Sequence, residues 1–326
     1  MIKNELVVVG GGLAGRMLIQ QLRCEDASCN IRLIDRARYS FDKDNYCSDL
    51  IGSSRIKGVS LSDFASQYNV DFLLRNVERV QLNKNLLYCK GEEPIGYKTV
   101  AFACGLKSKP LSIKGEFRDG VCYLDEQDLF SLKDILKISH DIVILAHTLL
   151  GLRLAFACSF LQKEIKLFTG SLDFLSSYPQ EKEYIMNILS DRKVDMYENV
   201  LIEEIIGEAC VKAVKTSIPK VFSSQAVLID SGFTSIHKLL ELSPKENTFS
   251  TDFPDVYILG DMADTAVESE SFFFARRPHI ELAGQRCARL FLTGEPQEKP
   301  SISQDSLLIK KCIKNEFNVE RMTSLV

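Results

Sequence analysis

The sequence predicts an α/β protein with two parallel-sheet domains, the second inserted into the first. Three observations support this class. Short apolar runs alternate with segments of helical periodicity, as expected for parallel strands covered by helices. A glycine-rich turn at Gly10–Gly12 follows the first apolar run, and a second strand–turn–helix arrangement begins at Asp141. The chain's 326 residues are also enough for about two domains of ordinary size.

The first strand, helix and second strand form one unit. Residues 5–9 are predicted as a strand buried on both faces, because Leu6 to Val9 are a continuous apolar run ended by glycine. Residues 13–22 repeat apolar positions at helical spacing, and residues 31–35, which end in Asp35, supply a second strand. These three segments predict a strand–helix–strand unit with parallel strands.

The remaining elements continue this alternation. Further strands are predicted, because short apolar runs end at glycine or polar residues, at 99–104, 141–146, 165–168, 226–229 and 256–259. Helices are predicted from 3.6-residue periodicity at 61–68, 126–137, 151–161, 181–189 and 278–292.

The domain boundaries follow from where a strand that ends in glycine recurs. After the second unit, an apolar strand ending in Gly260-Asp261 returns to the pattern of the first strand, so we expect the second domain to be an insertion. The expected division is 1–115 for the first part of the outer domain, 116–224 for the inserted domain and 225–296 for the second part. Residues 297–326 are too few for a third domain of ordinary size.

Composition excludes several classes. The 40 Lys and Arg against 44 Asp and Glu give a formal charge of −4 without a long basic run, which argues against a sequence-independent nucleic-acid binder. No run approaches the roughly 18 apolar residues of a membrane span, and we expect a cytoplasmic protein. No C-x-x-C pair or repeated histidine spacing occurs, so no metal site is expected.

The glycines after the first strand match a dinucleotide fingerprint. Gly10 permits a tight turn, Gly12 lets the backbone approach a pyrophosphate, and Gly15 allows the helix to pack closely on the strand. The helix N-terminus presents free N–H groups to the pyrophosphate. Asp35 can accept hydrogen bonds from the hydroxyls of an adenosine ribose. Further candidate contacts at this site are Leu13, Ala14 and Arg36.

Two more segments carry a family resemblance. The segment from Thr251 to Asp261 resembles the second flavin motif of the pyridine nucleotide-disulfide oxidoreductase superfamily, in which the Asp after Gly260 binds the ribityl chain of FAD. The strand that ends near Gly105 resembles the connecting motif of the same family. The resemblance implies two Rossmann-like dinucleotide-binding domains, FAD as cofactor and a C-terminal interface domain, which the tail at 297–326 replaces in truncated form.

Within the superfamily, the chain looks most like rubredoxin reductase, the bacterial ferredoxin reductases and the flavin module of nitrite reductase. Pro278-His279 and Ala283-Gly284 in the last predicted helix support this likeness. It implies that NAD(P)H reduces FAD, which then passes electrons singly to a small iron–sulfur carrier. It also implies that the backbone of His279 and Ile280 contacts the flavin. A partner subunit is the other candidate partner, and the oligomeric state stays open.

The inserted domain departs from the family pattern. Its turn reads Ala146-His147-Thr148 before Gly151, so only the last fingerprint glycine is present, and Thr169-Gly170 stands where a ribose-binding acid is expected. Two hypotheses follow. The protein is an NAD(P)H-dependent electron-transfer reductase, or it is an FAD protein that does not use NAD(P)H directly and whose inserted domain is a partner-binding surface.

The loop after the second strand departs as well. It lacks the family's prolines and arginine, but Lys43 could bring a cation towards flavin N5 or O4, where it would act as the catalytic residue. The alternative is an exposed loop lysine. Cys47 lacks a second cysteine at disulfide spacing, which argues against disulfide reductase chemistry, and it is either a single reactive thiolate or a packed thiol.

Overall fold

The structure is a computed structural model. It describes residues 4–25, 28–41, 45–52, 58–124, 129–170, 172–235, 240, 242–243, 245, 249–263, 277–295, 297 and 306–325.

Strands and helices alternate along these residues. The strands are β1 (Asn4–Val9), β2 (Ile31–Asp35), β3 (Tyr39–Ser40), β4 (Val59–Ser60), β5 (Asp71–Leu74), β6 (Val77–Gln81), β7 (Leu86–Cys89), β8 (Ile95–Phe102), β9 (Leu106–Ser108), β10 (Val121–Tyr123), β11 (Asp141–Ala146), β12 (Glu164–Thr169), β13 (Asp195–Glu198), β14 (Ile202–Gly207), β15 (Val211–Thr216), β16 (Val221–Ser223), β17 (Ala226–Asp230), β18 (Phe233–Ser235) and β19 (Val256–Ile258). The helices are α1 (Leu13–Cys24), α2 (Tyr46–Ile51), α3 (Leu61–Gln67), α4 (Leu129–Ile138), α5 (Leu149–Cys158), α6 (Pro179–Asp191), α7 (Arg277–Thr293), α8 (Ser306–Glu316) and α9 (Val319–Thr323).

The first sheet has the order β5-β2-β1-β8-β7-β6, and β19 pairs with β8. Its pairs from β5 to β8, and the β8–β19 pair, are parallel, whereas β6, β7 and β8 are antiparallel. Side chains of β1 alternate between two apolar layers. Leu6 and Val8 pack with α1 and α7, while Val7 and Val9 face the opposite layer. Both faces are therefore covered, which explains the continuous apolar run.

The second sheet has the order β10-β17-β11-β12-β13, and all its strands are parallel. The strands β14, β15 and β16 form a separate antiparallel sheet. The α/β class predicted from the sequence is confirmed. Because β17 lies between β10 and β11, it belongs to the second sheet. The boundary expected at 224 therefore falls before a strand of the inserted domain, and we propose that this domain continues to the end of β17.

The two domains meet through packed elements. β9 and β18 form an antiparallel pair. Along the chain, β9 connects the first sheet to the second, and β18 lies on the connection from the second sheet back to the first. Helix α2 of the first domain packs in the same apolar core as α4 and α5 of the second. Lys133 of α4 donates from Nζ to the Gly52 carbonyl oxygen at 2.6 Å, just after α2 ends. A positive charge at the C-terminal end of a helix is favourable, because the negative end of the helix dipole lies there.

The C-terminal helices pack on the inserted domain. Phe317, which follows α8, is fully buried, and its ring lies 5.3 Å from that of Phe156 in α5. Glu316 pairs with Arg153 of α5. The tail is thus a two-helix segment. Among the described helices, none has the length and apolar character that crossing a membrane would require.

Candidate functional site

The turn between β1 and α1 is shaped by close backbone packing. Gly10 has φ +106°, and a Cβ there would lie 2.5 Å from the Ala103 carbonyl oxygen. A Cβ on Gly15 would lie 2.1 Å from the Gly10 carbonyl oxygen. Real Cβ atoms do not approach oxygen so closely. Glycine at these two positions is therefore required by the protein's own fold, in a tight turn and at a helix–strand contact.

Gly12 has a different environment. Its φ of −63° suits any residue, and among the described residues a Cβ there would meet nothing nearer than the Ala103 carbonyl oxygen, at 3.9 Å. Gly12 is the N-cap of α1, and its position provides no side-chain cap for the helix. Packing among the described residues therefore does not require glycine here. The backbone at this helix N-terminus has room for a ligand, and an anion is the ligand that such a position favours.

Asp35 lies at the end of β2, beside this turn. Its Oδ2 accepts from Gly11 N at 2.6 Å, and its Oδ1 accepts from Ala37 N at 2.7 Å. A carboxylate oxygen can accept two hydrogen bonds, so each oxygen can still accept one from a ribose hydroxyl. Asp35 is half-buried, and the neighbouring Arg36 is exposed. These residues fit the adenosine end of a dinucleotide.

The distant Gly260-Asp261 pair reaches the same helix. Residues Gly260–Ala263 form a 3₁₀ turn after β19. Gly260 has φ +70°, and a Cβ there would lie 2.8 Å from the Cβ of Ala14. Asp261 is buried, with 7% of its surface exposed. The structure therefore brings Asp261 to the first turn of α1, although 250 positions separate Gly260 from Gly10.

Helix α7 packs across the same part of α1. A Cβ on Gly284 would lie 2.7 Å from the Met17 Cβ and 2.9 Å from the Ala14 carbonyl oxygen. Ile280 precedes this contact by about one helical turn, roughly 6 Å. The backbone of His279 also belongs to the first turn of α7, whereas its side chain lies outside the described residues.

The two other predicted site residues are Gly105, which the structure describes, and Lys43, which it does not. Gly105 follows β8 with φ +71°, and no atom of the described residues lies within 4 Å of a Cβ built there. It lies two residues after Ala103, against whose carbonyl group Gly10 packs. Lys43 lies outside the described residues. The flavin-directed roles of both residues stay predictions.

The sequence matches the family model described as pyridine nucleotide-disulphide oxidoreductase over residues 4–283. The chain belongs to this family. It is an FAD-dependent oxidoreductase, which confirms the predicted family, enzyme class and cofactor. No curated protein matches it by sequence.

Solved structures share the fold of this oxidoreductase. A ferredoxin reductase from Rhodopseudomonas palustris has 15% identity and a TM-score of 0.77, with 92% of this chain and 79% of that chain covered. The putidaredoxin reductase–putidaredoxin complex has 16% identity and a TM-score of 0.76, with coverages of 92% and 77%. An NAD-dependent persulfide reductase from A. fulgidus has 18% identity and a TM-score of 0.78, with coverages of 91% and 61%.

In this oxidoreductase, the turn between β11 and α5 contacts an acid that the sequence analysis missed. Asp230 at the end of β17 is fully buried, and its Oδ2 accepts from Thr148 N, Thr148 Oγ1 and Gly151 N at 2.9, 2.8 and 2.9 Å. Burial raises the pKa of Asp230, and these hydrogen bonds oppose the shift. An acid that ends an otherwise apolar strand, residues 226–229, is the signal that could have identified it.

Two thiols have raised pKa values, Cys47 in helix α2 and Cys104 directly after strand β8. Burial raises the pKa of Cys47 to about 11 and that of Cys104 to about 12. Cys47 packs among apolar side chains of α2, α4 and α5. These surroundings favour the packed-thiol hypothesis for Cys47.

One cluster of metal-type ligands occurs in the described residues. Ligand atoms of His140, Asp141 and Glu164 lie within 4.8 Å of one another. Lys166 Nζ already lies 3.0 Å from the Asp141 carboxylate and 3.8 Å from that of Glu164. The lysine supplies the positive charge that these acids attract, so the cluster is an ion-pair network.

Proposed function

We propose that this FAD-dependent oxidoreductase passes electrons singly between its flavin and a small iron–sulfur carrier protein. The observation that carries the flavin site of this proposal is the backbone at Gly12, which no described side chain covers and which lies close to Asp35 and Asp261. When bound there, FAD supplies the redox chemistry, while the protein sets its position and surroundings.

Each part of this crevice has a proposed task. The N-terminus of α1, next to Gly12, would hold the pyrophosphate, because unpaired N–H groups and the helix dipole favour an anion. Asp35 would bind the adenosine ribose through the acceptor positions that its two backbone hydrogen bonds leave. Asp261 would bind the ribityl chain. The backbone of His279 and Ile280 would donate towards the flavin ring from the first turn of α7.

Two observations support a small carrier as the partner. A ferredoxin reductase and a reductase bound to putidaredoxin are among the structures that share the fold. The described cysteines are free thiols, and the raised pKa of Cys47 makes it a poor nucleophile. Electron transfer to a carrier is therefore better supported than thiol–disulfide chemistry.

The source of the electrons distinguishes two candidate functions. Family membership favours NAD(P)H as the donor. The hydrogen bonds of Asp230 at the start of α5 favour the second candidate, an FAD oxidoreductase that does not use NAD(P)H directly and whose inserted domain binds a partner.

Replacing Gly12 and Gly15 separately tests the flavin site. In Gly12→Ala the new methyl group enters open space, so we expect the FAD-free protein to keep its thermal stability while FAD occupancy falls by about tenfold or more. In Gly15→Ala the methyl group meets the Gly10 carbonyl oxygen, so we expect the FAD-free protein itself to be destabilised. Flavin absorbance per protein and thermal unfolding measure the two effects. Full FAD occupancy in Gly12→Ala would contradict the proposed pyrophosphate position.

A separate experiment tests the partner. The holoprotein, reduced anaerobically with a stoichiometric amount of dithionite so that no reductant remains, is mixed with an oxidised [2Fe–2S] ferredoxin, and the absorbance of both is followed in a stopped-flow instrument. We expect the carrier to be reduced as the flavin is reoxidised, with a rate that falls at high salt if charges guide docking. A reduced flavin that is unchanged by every iron–sulfur carrier tried would reject this partner class.

A further inference from the structure

The two helices that follow a central strand begin in opposite ways. Helix α1 starts at Gly12, which provides no side-chain cap. Helix α5 starts at Thr148, whose Oγ1 accepts from Leu150 N at 3.2 Å. Asp230 adds a carboxylate to the same helix end, 82 residues further along the chain. Among the described residues, side chains therefore cap the N-terminus of α5 but not that of α1.

The donors that bind Asp230 are those that an anion at α5 would need. The first N–H groups of a helix have no partner within the helix, and the helix dipole favours negative charge there. Oδ2 of Asp230 takes the N–H groups of Thr148 and Gly151. A pyrophosphate in this position would lose those donors and would be repelled by a like charge in a buried environment.

Burial and packing close the position further. Every residue of α5 is buried, and Thr148 is 3% exposed. A Cβ on Gly151 would lie 2.6 Å from the Ala146 Cβ and 2.8 Å from Asp230 Oδ2. The one fingerprint glycine that the inserted domain retains is therefore explained by contacts within the protein, including the contact with Asp230.

We propose that Asp230 is an internal substitute for the pyrophosphate of a dinucleotide, and that the inserted domain therefore does not bind NADH or NADPH. This goes beyond the proposed function, which leaves the source of the electrons open, because it assigns Asp230 the role of occupying the nucleotide position. It also means that electrons do not reach the flavin from a nicotinamide nucleotide bound at α5.

The first test uses the wild-type holoprotein. NADH and NADPH are each titrated calorimetrically, and each is added anaerobically while the flavin absorbance is followed, with dithionite as the positive control. We expect no binding heat at millimolar nucleotide and no bleaching, although dithionite bleaches the flavin. Saturable binding or bleaching by either nucleotide would overturn the proposal. The flavin spectrum of the same sample reports independently on FAD binding, so failure of the proposed function would be recognised separately.

Variants then test Asp230 itself. Asp230→Ala removes the carboxylate, and we expect affinity for NADH to increase by about tenfold or more, because N–H groups at α5 are released. A folded Asp230→Ala protein that still shows no NADH binding would contradict the assignment. Asp230→Asn keeps the shape but removes the charge at the helix end, and we expect a Tm several degrees below that of wild type. The control is Asp195→Asn, an exposed acid on strand β13 of the same sheet, which should leave Tm unchanged. Equal Tm values for the two Asn variants would also contradict the proposal.

Discussion

At the scale of single residues, the fingerprint glycines have different physical reasons for being glycine. Gly10 and Gly15 avoid contacts with backbone oxygens of the protein, at 2.5 and 2.1 Å for an added Cβ. Gly12 avoids no such contact in the part of the chain that the structure describes. The sequence pattern predicts all three residues, but it cannot separate glycines that serve the fold from one that serves a ligand. That separation needs the positions of atoms such as the Ala103 carbonyl oxygen, far away in the sequence.

Asp230 shows a second limit of sequence reasoning, which cannot identify a contact between residues that are far apart in the chain. The altered turn at Ala146 to Thr148 is visible in the sequence and raises doubt about dinucleotide binding. The carboxylate that occupies the helix end comes from a strand that follows the turn by 82 residues. No local pattern links the two, because their contact depends on β17 pairing with β11.

The state of Cys47 leads to a prediction about chemical reactivity. With a pKa of about 11, the thiol should be only about 0.1% thiolate at pH 8, and thiolate is the reactive form. We expect iodoacetamide at pH 8 to leave Cys47 unmodified in the folded protein while it labels the exposed Cys210. Peptide mass spectrometry after timed quenching measures both. Labelling of Cys47 at the rate of Cys210 would mean that the thiol is reactive.

At the scale of elements, burial decides which ones the sequence reveals. β11 agrees with its predicted range because both faces of the strand are covered, so its apolar run is unbroken. β2 also agrees, although Arg32 interrupts its apolar run. The sequence analysis missed β6 and β14. Exposed charges interrupt these strands, for example Glu78 and Arg79 in β6. Antiparallel pairing to a neighbouring strand stabilises such segments, and that pairing is not a local property.

The contact between α1 and α7 gives a prediction about an element pair. In Gly284→Ala the new Cβ would meet the Ala14 carbonyl oxygen and the Leu18 N atom, at 2.9 and 3.0 Å. These backbone atoms cannot rotate away. Overpacking costs about 1–3 kcal/mol, which exceeds the roughly 1 kcal/mol that alanine adds to helix stability. We expect a net loss of about 1–2 kcal/mol in the free energy of unfolding and weaker FAD binding, because the helices must separate beside the flavin site.

Urea unfolding of the FAD-free protein and an FAD titration measure these effects. Gln285→Ala, the next position on α7 and exposed, is the control and should change neither quantity. Unchanged stability in Gly284→Ala would show that the two helices adjust without cost.

At the scale of the whole molecule, the C-terminal segment packs on the inserted domain and pairs with a buried charge in it. Helices α8 and α9 were not predicted individually, since the sequence shows only a short apolar-rich stretch there. In the structure, Arg153 of the buried helix α5 is 2% exposed and pairs with Glu316 at 2.6 Å. The tail therefore neutralises a charge within the inserted domain's core, and this role depends on the arrangement of helices that are distant in sequence.

Removing one partner of this ion pair should be costly. Glu316→Ala leaves the Arg153 charge buried without its carboxylate, and we expect the free energy of unfolding to fall by about 3 kcal/mol. A double variant, Arg153→Met with Glu316→Leu, removes both charges and should recover most of that loss, because apolar side chains of similar volume replace a buried pair at little cost. The control is Asp134→Ala, which breaks the exposed Lys137–Asp134 pair and should cost at most about 0.5 kcal/mol. Urea unfolding of the wild type and the three variants measures these free energies. If Glu316→Ala lowers the free energy of unfolding no more than Asp134→Ala does, the Arg153–Glu316 ion pair does not stabilise the packing of the tail.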